Sequence, residues 1–74
     1  MIEVRQLRFA VATADAQNFS RAAEAMRIKQ STLSRRIAAL EARLGIKLFE
    51  RSTRGAIPTE QGKAFLSVAR RILT

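Results

Sequence analysis

The sequence predicts a small, mostly α-helical domain: three helices around one core, a two-stranded hairpin, and a fourth helix. Three observations carry that expectation. Apolar residues recur at helical spacing in several separate segments, most cleanly at Leu33, Ile37, Leu40 and Leu44. One segment, IKLFERSTRGAIPT, breaks that period and contains a polar turn. The chain has 74 residues, near the lower limit at which a single core holds a fold without staples.

The first helix is expected from about Val4 to Ala14, with Val4, Leu7, Val11 and Ala14 on one face and Phe9 and Ala10 widening it. It ends before DAQN, a polar stretch that supplies caps. A short second helix is expected over Ser20 to Met26. Ser20 can accept from the free N–H groups of its first turn, with Asn18 as the other candidate, and Phe19 is placed as a hydrophobic staple. Ala22, Ala23 and Met26 form its inner face, where short side chains let two helices cross closely.

RIKQ is a turn of a few residues, and the third helix follows from about Gln30 to Leu44. Gly45 comes next, where a left-handed C′ position favours glycine. Two helices, a short connection and an alanine-lined contact describe a helix-turn-helix, although the usual turn glycine is missing. Beyond Gly45, Ile46 and Leu48 alternate, Arg54-Gly55 lies near a hairpin tip, and Ala56-Ile57 forms the second strand. Pro58 cannot donate to a ladder, so it marks an edge position or the strand's end. A hairpin attached to a helix-turn-helix is a wing, and the fold class is therefore a winged helix-turn-helix.

Thr59 caps the last helix, with Glu60 and Gln61 in its first turn, where acidic and polar groups suit the positive end of the macrodipole. Its stripe is Phe65, Val68, Ala69 and Ile72, widened by Leu66 and Leu73. The far end is too greasy for three small helices to bury, so part of Leu66 to Leu73 is expected to meet a second copy. The pattern stops at Thr74 without a C-cap, and the natural protein is expected to continue.

The charge is +8, from fourteen basic and six acidic residues, and it is localised. Residues 1–20 are neutral overall, whereas residues 21–54 carry nine basic residues against three acidic. A basic block inside a folded region suits a polyanion; the plainer reading is a generally cationic surface. There is no histidine and no cysteine, and the six carboxylates are scattered with no glycine-rich phosphate loop. That leaves nothing from which to build a catalytic or metal site, so neither an enzyme nor a cofactor is expected. No signal-peptide pattern or membrane-spanning run is present, and the basic residues are too dispersed for a membrane-surface helix.

On an ideal helix of about 100° per residue, Ile37, Leu40 and Leu44 fall within about 40° of Leu33. Ser31, Arg35, Ala38 and Ala42 lie opposite, flanked by Thr32 and Ser34. Such a slim face fits the major groove of B-DNA, where hydroxyls and arginine read base edges. Helix propensity explains Ala38 and Ala42 equally well; for Arg35, placement in the first turns of the motif's second helix favours base contact.

The run NFSRAAEAMRIKQSTLSRRIAALEARLGIKLFERSTRGAIPTEQG resembles the DNA-binding domain of LysR-type transcriptional regulators. FSRAAEAM, QSTLSRRIAALEARLG, LFER and TEQG carry the likeness, which extends without a gap from about residue 3 to the end. The resemblance implies a winged helix-turn-helix over residues 1–58 and the start of a linker and dimerisation helix over 59–74, with Phe65, Leu66, Ala69, Ile72 and Leu73 pairing subunits. It implies a bacterial, cytoplasmic regulator, associated with the nucleoid when bound, that is a homodimer or tetramer at full length. A small-molecule effector is then sensed only by a further domain. By position, Gln30, Ser31, Thr32, Ser34 and Arg35 match major-groove residues, Arg51 and Arg54 match backbone or minor-groove contacts, and Thr59 matches a further phosphate contact.

Three positions depart from the pattern. Ser31 stands where proline is usual and Lys29 where a capping serine is common, which together weaken the helix start. Lys29 is then free to reach a phosphate instead. Pro58 replaces a frequent leucine and bears on the length of the second wing strand.

The sequence thus points to sequence-specific binding of duplex DNA. The alternative is a winged-helix protein-interaction module whose basic face serves acidic partners. RNA or single-strand binding needs exposed aromatics, and the four phenylalanines all fall at core or interface positions.

Overall fold

A computed structural model describes residues 1–74. Its order is α1 (Val4–Ala16), α2 (Phe19–Met26), α3 (Gln30–Leu44), β1 (Phe49–Ser52), β2 (Gly55–Pro58) and α4 (Glu60–Leu73). The fold is a winged helix-turn-helix. Leu33, Ile37 and Leu40 of α3, Phe9 and Ala10 of α1, and Ala22 and Ala23 of α2 meet in one core, joined by Leu48, Phe49, Ala56 and Leu66.

α1 starts where the Glu3 backbone N–H donates to Gln6 Oε1 at 2.8 Å. It runs two residues past its expected end and stops at Gln17, which takes the left-handed conformation (φ 56°). The cap of α2 is Asn18, whose Oδ1 accepts from the Arg21 N–H at 2.9 Å. Ser20 is instead an exposed residue of the first turn. Phe19 is not a staple ahead of the helix but its first residue. Its buried ring packs edge-on against Phe49, with centroids 5.9 Å apart. Starting α2 one residue earlier is what turns Phe19 inward.

The glycine missing from the α2–α3 turn is replaced by Arg27, a non-glycine residue at φ 60°. That conformation costs about 1–2 kcal/mol for an L-residue, offset here by burial of the alanine contact beside it. α3 has its expected bounds. Gly45 ends it at φ 72°, and the Gly45 N–H donates to the Glu41 carbonyl at 2.8 Å.

The wing starts later than the alternation suggests. Ile46 and Leu48 lie before β1 in an irregular segment, yet Leu48 is fully buried. The strands pair antiparallel from Phe49↔Pro58 to Ser52↔Gly55, which puts Thr53 and Arg54 at the tip. Pro58 is the last residue of β2, so that strand is four residues long.

α4 packs against α1, and Gly62 sets how it lies. A Cβ on Gly62 would stand 2.1 Å from the Leu48 carbonyl oxygen, a distance no side chain tolerates. That close approach rotates Leu66 and Ala69 into the core at 4% and 1% exposure. These two are therefore core residues of this chain and do not lie on a face open to a second copy. The outer edge of the stripe is Val68 and Ile72, 46% and 58% exposed, with Phe65 and Leu73 half-buried. Arg70 also reaches back to Asp15 of α1 at 2.7 Å. No helix is long and apolar enough to cross a membrane.

Candidate nucleic-acid interface

The site is built on α3, whose inner stripe is fixed by the core. Gln30, Ser31, Arg35, Ala38 and Ala42 are exposed, while Thr32 and Ser34 are half-buried on the two flanks. None of these side chains is engaged in an intramolecular hydrogen bond or ion pair. The outer surface of α3 is thus a row of small residues with one free guanidinium in its second turn. Lys29 occupies the N-cap position and makes no side-chain cap bond, so its exposed ammonium is also free.

The wing is fastened to this helix at its root. Glu41, on the wing-side flank of α3, accepts from the Leu48 N–H at 2.7 Å and the Phe49 N–H at 3.4 Å through one carboxylate oxygen. The other end is fastened to the α1–α2 turn. The Ala56 N–H donates to the Gln17 carbonyl at 3.1 Å. Gly55 lies against the same carbonyl at φ 110°, where a Cβ would come within 2.1 Å. Only glycine satisfies both the conformation and the approach.

Arg54 is exposed at the tip, and its backbone N–H donates to Ser52 Oγ at 3.1 Å. Arg51 is exposed on β1, with its guanidinium stacked 3.8 Å from the centre of the Phe19 ring. A small cleft of about 200 Å³ connects the two regions, lined by Asn18, Ser20, Gln30, Arg51 and Ser52 among others. The Thr59 hydroxyl accepts from the Gly62 N–H at 2.9 Å and donates to the Lys47 carbonyl, which caps α4 and ties its start to the segment before β1.

The structure therefore brings Lys29, Gln30, Ser31, Thr32, Ser34 and Arg35 together on α3, with Arg51 and Arg54 on the wing beside them. Sequence reasoning missed Glu41 and Phe19 as the residues that hold the wing and its arginine. Glu41 had a readable signal: it is an acid at 80° from the buried stripe, on an otherwise basic helix. It also missed the other flank of α3, where Arg36 and Arg43 are exposed and share a groove with Arg5 of α1. No three acidic, histidine or cysteine side chains gather where they could hold a metal ion.

Comparison with known proteins matches residues 4–63 to the bacterial regulatory helix-turn-helix proteins of the lysR family. The chain belongs to the LysR family. It is 50% identical over 72 residues to the transcriptional regulator TfdT of Cupriavidus pinatubonensis, covering 97% of this chain and 32% of that protein. TfdS of the same organism is also 50% identical, with 24% of its length covered. This LysR-family domain thus spans 32% and 24% of the length of these two relatives. Among solved structures, the CbnR DNA-binding domain in complex with DNA superposes with a TM-score of 0.92 at 47% identity, covering 97% of this chain and 83% of that one. The BenM DNA-binding domain bound to a DNA site gives a TM-score of 0.92 at 42% identity, over 97% and 77% of the two chains.

Proposed function

We propose that this LysR-family domain binds duplex DNA sequence-specifically, with α3 in the major groove, as the DNA-reading module of a transcription regulator. One observation carries the reading: the outer face of α3 is slim and unpartnered, and its guanidinium at Arg35 is free. An α-helix of about 10–12 Å diameter enters a groove about 12 Å wide only when that face is small. The wing cations Arg51 and Arg54 then meet the backbone or minor groove beside it. Relatives of the same fold solved in complex with DNA support duplex binding.

In this proposal the outer edge of α4, Phe65, Val68, Ile72 and Leu73, pairs two copies. A two-fold pair carries its two α3 helices to half-sites about one helical turn, or a multiple of it, apart. Control by a small molecule is assigned to the part of the relatives that this chain does not span. The protein acts as a regulator in the bacterial cytoplasm, and no step of it is catalytic.

Anisotropy titration against mixed duplexes at low salt, followed by selection of bound duplexes from a random library, tests the reading. Salt-sensitive binding that enriches one half-site supports it. Absence of duplex binding, with capture of acidic polypeptides instead, overturns it in favour of a protein-interaction module.

A further inference from the structure

The proposed docking uses one flank of α3, the side of Gln30, Ser34, Glu41 and the wing. A helix lying in the major groove has a second flank, and it faces the opposite backbone. On an ideal helix with Leu33 at 0°, Thr32, Ala39, Arg43 and Arg36 fall between about 240° and 300°, on the far side from the wing. In the structure this flank borders a groove of about 550 Å³ between α3 and the start of α1. Its polar lining comes from Arg5, Arg36 and Arg43, with Gln6 and Glu3.

Arg36 and Arg43 are exposed and have no acidic partner. Arg5 has only a loose contact with Glu3, at 3.9 Å and mostly exposed. Three cations on a surface with one acid are therefore not neutralised by this chain. The two arginines of α3 are seven residues apart, a rise of about 10 Å along the helix. One DNA strand advances about 3.4 Å per nucleotide, so that rise corresponds to about three phosphates.

We propose that Arg5, Arg36 and Arg43 form a second phosphate clamp, which grips the strand opposite the one met by Arg51 and Arg54. The inference rests on the major-groove docking of α3 and adds to it which backbone each flank holds. α3 is then held from both sides, and the arginine of its outer face has a fixed register on the base edges. The spacing of Arg36 and Arg43, matched to about three phosphates of one strand, favours a nucleic-acid backbone over an acidic peptide.

The test uses the selected half-site duplex in three forms: unmodified, or with neutral methylphosphonate linkages on one strand or on the other. The wild-type domain is expected to lose affinity with either modified strand. The double variant Arg36→Ala, Arg43→Ala is expected to bind the unmodified duplex with a log–log salt slope smaller by about 2, since each phosphate contact contributes about 0.9. It should also become less sensitive than wild type to neutral linkages on one strand only, the remainder being due to Arg5. Arg54→Ala should show reduced sensitivity on the other strand, where Arg51 remains. All three substituted side chains are exposed, so melting temperatures near wild type separate lost contacts from lost folding.

An unchanged slope, or undiminished sensitivity of the double variant on both strands, overturns the clamp while leaving the docking of α3 intact. Reduced sensitivity of both variants on the same strand overturns the assignment of opposite backbones. Failure of the wild-type domain to bind any duplex sinks the docking itself, and the clamp with it.

Discussion

The guanidinium carbon of Arg51 lies 3.8 Å from the centre of the Phe19 ring, whose edge meets Phe49. A planar cation on an aromatic face is attracted by about 0.5–1 kcal/mol at an exposed site. The contact therefore limits where Arg51 can point without burying its charge. Phe19→Leu should lower duplex affinity several-fold and have no such effect in an Arg51→Ala background. It should also lower stability by about 1–3 kcal/mol, because the ring is buried. A double-mutant cycle on binding, with melting as control, separates the two effects; additive losses would mean that Phe19 only fills space.

Arg35→Ala removes the one guanidinium on the outer face of α3. It should cost about 1–3 kcal/mol at the selected half-site and little on scrambled duplexes, so discrimination narrows. Arg54→Ala should weaken binding to most sequences alike, with at most a small loss of A·T preference through the minor groove. Parallel titrations on the two duplexes read the difference. Equal behaviour of Arg35→Ala and wild type on both would contradict the assigned face.

Lys29→Ser supplies the cap acceptor that α3 lacks. Thermal stability should rise by about 1 kcal/mol, and affinity should fall if the ammonium reaches a phosphate. A melting curve and a titration of one variant give opposite signs for the two quantities. Unchanged affinity would show that Lys29 touches no DNA.

Glu41→Ala leaves the Leu48 and Phe49 N–H groups without their acceptor in a half-buried place. The expected cost is about 1–3 kcal/mol for unsatisfied donors. Because those donors open the wing, hydrogen exchange should accelerate first at Leu48 and Phe49. Uniform acceleration across the chain would mean that Glu41 serves global packing instead.

Gly62→Ala puts a methyl group 2.1 Å from the Leu48 carbonyl oxygen, so backbone must move. Overpacking of this kind costs about 1–3 kcal/mol and occasionally more. Displacement of α4 should also expose Leu66 and Ala69, raising binding of a hydrophobic dye. A variant as stable as wild type would show that α4 turns freely on the core.

The bounds of α3 and the existence of the wing were legible because each rests on a local signal: a narrow stripe ending in glycine, and a polar turn between apolar pairs. The cap of α2 was not decidable locally, since Asn18 and Ser20 both offer an oxygen. What decides it is Phe49, thirty residues away in the wing region, which accepts the Phe19 ring only if the helix starts at Phe19. The rotation of α4 was hidden for a similar reason. Its apolar residues cover a wide arc, and the contact of Gly62 with Leu48 picks which part of that arc turns inward. On α3 the exposed outer face was readable from spacing. Glu41 and the Arg36–Arg43 flank needed the hairpin and α1 to be placed beside them.

The wing is attached to Glu41 on one side and to the Gln17 carbonyl on the other, which resists its swinging as a body. Helix and hairpin present a fixed template, and the duplex must do the adapting. Base-pair steps that bend or roll cheaply into that template should be preferred even where no side chain touches them, so part of the operator's identity lies in its mechanical compliance.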